Sequence, residues 1–266
     1  MNELSGNLCI LPMEFSEFND WYKELSKLRI FWAKPLNNVN LISTDSEKCL
    51  LEIEWIVRRK IKKAIMCISK SPSKAFEVIR KSGYESITKL LMIPEDSILS
   101  SSYNINARSI LYFWDVHSKV LEPNNKVRIV KLWNWSNEDL EIFNQIHKKS
   151  WGFFIPPRKD DHIIVLAYLK DMPVGMAYLN KHNFNIDYGV HIARNFWRNR
   201  IGTTILREVL NLSKRLNAKY VSVVRVLRSL RISSSDRRAI LFYKANNPAL
   251  KLNVCRVENC DLQTKD

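Results

Sequence analysis

In KVRIVKL, residues 126–132, apolar and polar side chains alternate with the period of a strand that buries one face. The next stretch, SNEDLEIFNQIHKKSW, residues 136–151, shifts to helical spacing. Ser136 stands where an N-cap belongs, acids occupy the first turn and lysines the last, each opposing the partial charge of its helix end. GFFIPPRKDD ends that helix, because Pro156 and Pro157 cannot continue it. HIIVLAYLKD, PVGMAYLN and FNIDYGVHI then read as three strands, the first two joined by a turn near Asp171. Residues 203–216 return to helical spacing, with Ile205, Leu206, Val209, Leu210 and Leu212 on one face. AKYVSVVRVL reads as a strand, the serine-capped SSDRRAILFYKANN as a helix and LKLNVCRV as a closing strand. The predicted order is β-α-β-β-β-α-β-α-β, a mixed α/β (α+β) pattern.

Comparison of the chain with itself extends this reading to the first half. SPSKAFEVIRKSGY can be laid on SSSDRRAILFYKANNP so that Ala75 meets Ala239, and SEKCLLEIEWIVRRKIKKAIMCIS can be laid on GTTILREVLNLSKRLNAKYVSVV. The alignment predicts helix, strand, helix and strand in both halves. It makes the segment from Ser46 a helix capped within LISTDSEK, with RRKIKK at its exposed end and Ile79 at the place of Tyr243. The polar, serine-rich PEDSILSSSYNINARS separates the halves, and ILYFWDVHSKVL links them as a strand or helix. The division expected is residues 1–122 and 123–266.

Composition narrows the functional classes. With 266 residues, 46% of them hydrophobic, the chain can fill one large core or two smaller ones. No apolar run approaches the roughly 18 residues of a membrane span, and no basic stretch leads into an apolar one at the start. The expectation is a cytoplasmic protein with no membrane partner. Cys9, Cys49, Cys67, Cys255 and Cys260 are scattered, without a CxxC pair or a histidine at ligand spacing, so neither a metal site nor a disulfide framework is expected. The net charge of +15 is concentrated: residues 194–238 carry twelve Lys and Arg against Glu208 and Asp236. Such a field suits a phosphate-rich ligand or nucleic acid.

That basic stretch begins with FWRNRIGTTIL, where a helix starts after Arg194, Arg198 and Arg200. A helix N-terminus leaves backbone N–H groups without partners and concentrates positive dipole there. Neither Ile201 nor Gly202 can cap it through a side chain. A helix start left open and surrounded by arginines is what a pyrophosphate requires.

The order of elements, with I-x-x-x-x-W-R-x-R-I-G-T and a downstream D-x-x-A-x-x-x-Y, resembles the GCN5-related N-acetyltransferases over residues 126–257. The resemblance implies an acyl-CoA N-acyltransferase fold, with a mixed, mostly antiparallel central sheet flanked by helices, and a second, degenerate lobe of the same kind in the first half. It implies acetyl-CoA as co-substrate and no metal. The family's Gln/Arg-x-x-Gly-x-Gly/Ala loop falls on Trp197, Arg200 and Gly202, so two of its three signature residues depart; tryptophan at the first place is similar to the branch that acetylates ribosomal-protein N-termini. By the resemblance Arg198, Asn199, Arg200, Gly202 and Thr203 hold the pyrophosphate, and Asp236 stands where the family often has a cofactor-positioning Asn. Backbone groups at Val190, His191 and Ile192 pair with the pantetheine arm.

Tyr243 matches the tyrosine that protonates the departing thiolate. Asp187 and His191, four apart on one strand and so on one face, are the candidate general bases. Trp133, Trp135, Trp151, Phe153 and Phe154 surround the helix and loop that shape the acceptor pocket in the family. The acceptor implied is a primary amine of a protein N-terminus, a lysine or a small molecule, and the chain is expected as a monomer or homodimer. The competing reading is a non-catalytic protein of this fold that binds nucleic acid, or senses CoA, through residues 194–238.

Overall fold

The computed structural model describes residues 37–45, 48–57, 59–82, 87–100, 103–227 and 232–258. Cys9, Cys260, Ser46, Arg58 and Gly83, which entered the reading above, lie outside them.

Eleven strands and four helices of the described residues form a mixed α+β fold, as the sequence pattern predicts. The second half runs β6 (Val127–Leu132), α2 (Asn137–Trp151), β7 (His162–Leu169), β8 (Met172–Asn180), β9 (Ile186–Ile192), α3 (Ile201–Arg215), β10 (Tyr220–Val226), α4 (Ser234–Ala245) and β11 (Leu250–Val257). α2 has the signalled capping box, in which Ser136 and Asp139 exchange hydrogen bonds, and it ends at Gly152 in the left-handed conformation. β6, β7, β8 and β9 pair antiparallel in that order. One face of this sheet, with Ile163, Val165, Val174 and Ala177, packs against Ile205, Leu206 and Val209 of α3. The other face, with Ile164, Leu166, Met176 and Tyr178, packs against Phe143 and Ile146 of α2.

The first half departs from the expected helix, strand, helix, strand. It is β1 (Asn38–Thr44), β2 (Lys48–Val57), β3 (Lys60–Ser69), α1 (Pro72–Lys81), β4 (Thr88–Pro94) and β5 (Ile105–Asp115). From Lys48 on, the segment read as a helix is instead strand β2, antiparallel to β3, with Lys48 opposite Ser69 and Val57 opposite Lys60. In Leu51-Glu52-Ile53-Glu54-Trp55 the acids alternate with apolar residues, and Leu51 and Ile53 are fully buried. That period of two, followed by the β-branched Ile56 and Val57, outweighs the weaker helical match. Of RRKIKK, the described Arg59, at φ 65°, precedes β3, and Lys60 to Lys63 start that strand, with Lys63 ion-paired to Glu54 across the strands at 2.5 Å. Leu41 to Thr44 of LISTDSEK belong to β1, and Asp45 after them accepts from the Lys48 N–H at 3.0 Å.

The correction also moves the correspondence between the halves. α1 follows three antiparallel strands and precedes β4, which is parallel to β3. α3 likewise follows β7, β8 and β9 and precedes β10, whose Ser222 makes a parallel bridge to Asn185 beside β9. By position, α1 corresponds to α3 and not to α4, so Ile79 is not the counterpart of Tyr243.

The linking segment begins as strand β5, which lies between β11 and the edge strand β10 of the larger sheet. The strand order there is β1-β2-β3-β4-β11-β5-β10. β5 is antiparallel to both β10 and β11, and β11 is antiparallel to β4, so the last strand of each half lies beside strands of the other. Tyr112, Phe113 and Trp114 of β5 are almost completely buried, and the Trp114 indole donates to the Asn246 carbonyl at the end of α4 at 2.8 Å.

Candidate active site

β9 and β10 touch at the Asn185–Ser222 bridge and belong to different sheets beyond it. The closed end is tied by a buried network. His162 Nδ1 accepts from the Arg158 N–H, so its Nε2 carries the proton and donates to Asp187 at 2.9 Å. Asp187 also accepts from Asn180 at 3.2 Å and Asn185 at 2.7 Å, and Asn185 in turn accepts from the Ser222 hydroxyl. Asp187 is fully buried and does not line the cavity described below, so this candidate base is a strut holding β8, β9 and β10 together.

Beyond that knot the strands enclose a cavity of about 820 Å³. β9 reaches it through a bulge: Tyr178 is opposite Asp187, but Ala177 is opposite Val190. Tyr188 and Gly189, with φ of 65° and 88°, leave the ladder there. Asp187 and His191 do lie on the same α2-facing side, but only two ladder positions apart, and only His191 opens to the cavity. The bulge also admits Tyr243. A Cβ on Gly189 would lie 2.7 Å from the Tyr243 hydroxyl, which accepts from the Val190 N–H at 3.3 Å. Tyr243 is otherwise enclosed by Tyr112, Trp114 and Phe242. Burial raises the pKa of its phenol against the smaller opposing effects of the Val190 N–H and Arg225, so it holds its proton through neutral pH.

At the other end of the cavity, α3 starts with no side-chain cap. Its N-cap is Arg200 in the left-handed conformation, φ 54°, and Arg198 has φ 65°. The first backbone hydrogen bond of the helix runs from the Thr204 N–H to the Arg200 carbonyl, so the three preceding N–H groups point out of the helix start. Arg194, Arg198, Arg200, Arg225 and Arg238 line the cavity with Gly202 and Thr203. The Arg200 guanidinium is turned toward the Glu122 carbonyl, 3.5 Å away. The loop is braced from behind by Asn124, whose side chain donates to the Asn199 carbonyl and whose N–H donates to Thr204 Oγ1, each at 2.9 Å.

Of the cofactor-binding positions named from the sequence, Val190, Ile192, Arg198, Arg200, Gly202 and Thr203 line the cavity, and Asn199 and Asp236 do not. Asn199 donates back to the Phe196 and Trp197 carbonyls and shapes the loop. Asp236 is buried at the start of α4, where Ser233 and Arg225 donate to it. Burial works to raise its pKa, but those hydrogen bonds outweigh it and hold the carboxyl below its ordinary range. Gly202 is required by packing as much as by any ligand, since a Cβ there would meet the Phe242 ring at 2.9 Å. On β9 the edge groups are partly taken by the protein itself: Val190 N–H by Tyr243, and the Ile192 carbonyl by the Trp197 indole at 3.0 Å. Trp197 is covered in turn by the Arg238 guanidinium, 4.6 Å from its ring centre.

His191 belongs to a second cluster. Its Nε2 donates to the Tyr188 carbonyl at 3.1 Å, which leaves Nδ1 as an acceptor facing the Ser150 hydroxyl at 3.3 Å. Burial first, then His147, hold its pKa well below the ordinary value, so the imidazole is neutral. His147, 4.2 Å away between ring centres, is pushed by burial down to about 4. Trp151 lines the cavity beside His191, while Trp135 is core and Trp133 and Phe153 are exposed. Sequence reasoning missed Ser150, Tyr188 and Arg225. Only the glycine in DYGVHI, one of six in the chain, signalled an irregular strand there.

Residues 128–246 match the model of the acetyltransferase (GNAT) family, and this part of the chain is a GNAT domain. The domain supports an acyltransferase role in the general sense. No curated protein matches the chain. Among solved structures, it is similar to a conserved protein of unknown function from Staphylococcus epidermidis, 17% identical over 84% of this chain and 95% of that one, TM-score 0.43. It is also similar to a GCN5-related N-acetyltransferase from Sphaerobacter thermophilus, 14% identical over 82% of each chain, TM-score 0.42. A third is an aminoglycoside acetyltransferase from an uncultured soil metagenomic sample, 18% identical over 48% of this chain and 91% of that one, TM-score 0.35.

Proposed function

We propose that the protein is an acetyl-CoA-dependent N-acetyltransferase acting by direct transfer. The observation that carries this reading is the uncapped, arginine-lined start of α3 opening into the same cavity as the Tyr243 hydroxyl. The residues present fit the ligand. Free N–H groups and helix dipole favour a pyrophosphate, and the left-handed Arg198 and Arg200 turn the loop backbone around the place it would take. Arg198, Gly202 and Thr203 hold the phosphates from the loop, with Arg238 approaching from α4. Arg200 contributes mainly its backbone, since its side chain leans toward Glu122. The β9 edge at Val190 and Ile192 orients the pantetheine arm once Trp197 releases the Ile192 carbonyl.

Acetyl-CoA supplies an acetyl group activated as a thioester. Tyr243, which keeps its proton at neutral pH, gives it to the departing sulfur. His191 is the candidate acceptor of the amine proton, because it faces the cavity as a neutral imidazole. The N-terminal half is a degenerate lobe of the same kind. Its α1 is capped by Ser71, which accepts from the Lys74 N–H, and so offers no open start to a phosphate.

The test is isothermal titration of the full chain with acetyl-CoA and with CoA, followed by turnover of Tyr243→Phe. Saturable binding of both ligands and a fall of about a hundredfold in kcat are expected. Unchanged turnover would remove Tyr243 as the acid. The reading of residues 194–238 as a nucleic-acid surface is the less favoured one, because Arg194, Arg198, Arg200, Arg225 and Arg238 all line the cavity.

A further inference from the structure

The two ends of the cavity differ in chemistry. Arginines crowd the α3 end, whereas Ser150, Trp151, Tyr188 and His191 form the α2 end. Among the described residues, no Asp or Glu lines the cavity at all. Asp236, next in the chain to the lining Ser235, is already held by Arg225 and Ser233, and Asp187, next to the lining Tyr188, by His162, Asn180 and Asn185. An ammonium entering this space would lose its water without gaining a counter-charge. His191 offers no remedy, because it presents a neutral lone pair to Ser150 and no negative charge. Trp151, by contrast, offers an aromatic surface backed by Phe153 at 4.4 Å and His191 at 5.0 Å between ring centres. The site therefore favours an acceptor that is already uncharged, flat and apolar.

We propose that the acceptor is a weakly basic aromatic amine, seated against Trp151 and Tyr188 with its N–H directed to the Ser150 hydroxyl oxygen. This rests on the acetyltransferase reading and narrows it. As the amine nitrogen bonds to the acetyl carbon and the carbon–sulfur bond breaks, the nitrogen gives its proton to Ser150 Oγ. Ser150 passes its own proton to His191 Nδ1, and Tyr243 protonates the sulfur. Exchange with water then returns the proton from His191 and restores that of Tyr243. Polyamines, aminoglycosides and lysine-rich peptides are disfavoured, since each brings further ammonium groups to a cavity that no carboxylate among the described residues lines.

The experiment follows CoA thiol release by the full chain with acetyl-CoA and 4-methoxyaniline, spermidine, kanamycin or a lysine-rich peptide in parallel. The arylamine is expected to exceed each polycation at least tenfold in kcat/KM. Ser150→Ala should lower kcat at least tenfold with acetyl-CoA affinity unchanged, Ser150→Thr should restore most of it, and Trp151→Phe should change the arylamine KM by only a few-fold. A preference for any polycation, or no arylamine turnover by a chain that binds acetyl-CoA, would overturn the proposal. Absence of acetyl-CoA binding would instead remove the acetyltransferase reading, and this proposal with it.

Discussion

At the scale of single residues the site depends on Gly189. Its φ of 88° is one that side-chain-bearing residues rarely adopt, and a Cβ would intrude on the Tyr243 hydroxyl. Gly189→Ala is therefore expected to destabilise the fold by about 1–3 kcal/mol and to reduce kcat by an amount comparable to Tyr243→Phe. Denaturant unfolding and steady-state kinetics of the two variants check this; a Gly189→Ala variant with normal kcat would separate the bulge from the role proposed for Tyr243. The histidines give a pH signature. His147 and His191 are both held below their ordinary pKa by burial, so on acidification the unfolded chain binds protons that the folded chain refuses. Their contribution is complete above the ordinary histidine pKa of about 6.5 and is lost as the pH falls below it. For His147, lowered to about 4, the loss over that window is about 3 kcal/mol. Urea midpoints should drop between pH 7.5 and pH 5, and His147→Phe should flatten that drop; an identical drop in the variant would assign it elsewhere.

At the scale of elements, the second half was legible because each element carried its own boundary signal. Ser136 and Asp139 marked the start of α2, Pro156 and Pro157 its sequel, and the arginine-rich, uncapped entry marked α3. The first half misled because LLEIEWIV satisfies both periods over a short window, and only pairing with β3 decides between them. The site was half legible for a related reason. A motif names positions, but whether Asp187 or Asn199 turns to the cavity depends on partners such as His162 and Asn124, distant in sequence. Arg200 is the clearest such case. A residue in the place of a loop glycine adopts the left-handed conformation that glycine would, and its side chain leaves toward Glu122. Arg200→Gly should consequently change the acetyl-CoA Kd less than about fivefold while easing roughly 1 kcal/mol of backbone strain. Calorimetry and thermal unfolding measure both, and loss of binding would show that the guanidinium itself grips the phosphate.

At the scale of the molecule, the two halves share one sheet. β5, on the N-terminal side of the expected 122/123 division, separates β10 from β11 on the other. Residues 123–266 expressed alone would lack the strand that carries Tyr112 and Trp114 beneath Tyr243. They are expected to be insoluble or unfolded, and co-expression of residues 1–122 to rescue them; a folded, acetyl-CoA-binding fragment would show β5 to be dispensable. No linear pattern could reveal this exchange of strands, because β5 and β11 each look like ordinary buried strands in isolation. The sheet sets β10 and α4 against β9 and α3, and so places Tyr243 and the open helix start on one cavity. That placement is what isothermal titration of the full chain with acetyl-CoA measures most directly. The account predicts saturable binding that weakens when Arg198 or Thr203 is replaced; no binding heat at high micromolar acetyl-CoA would contradict it.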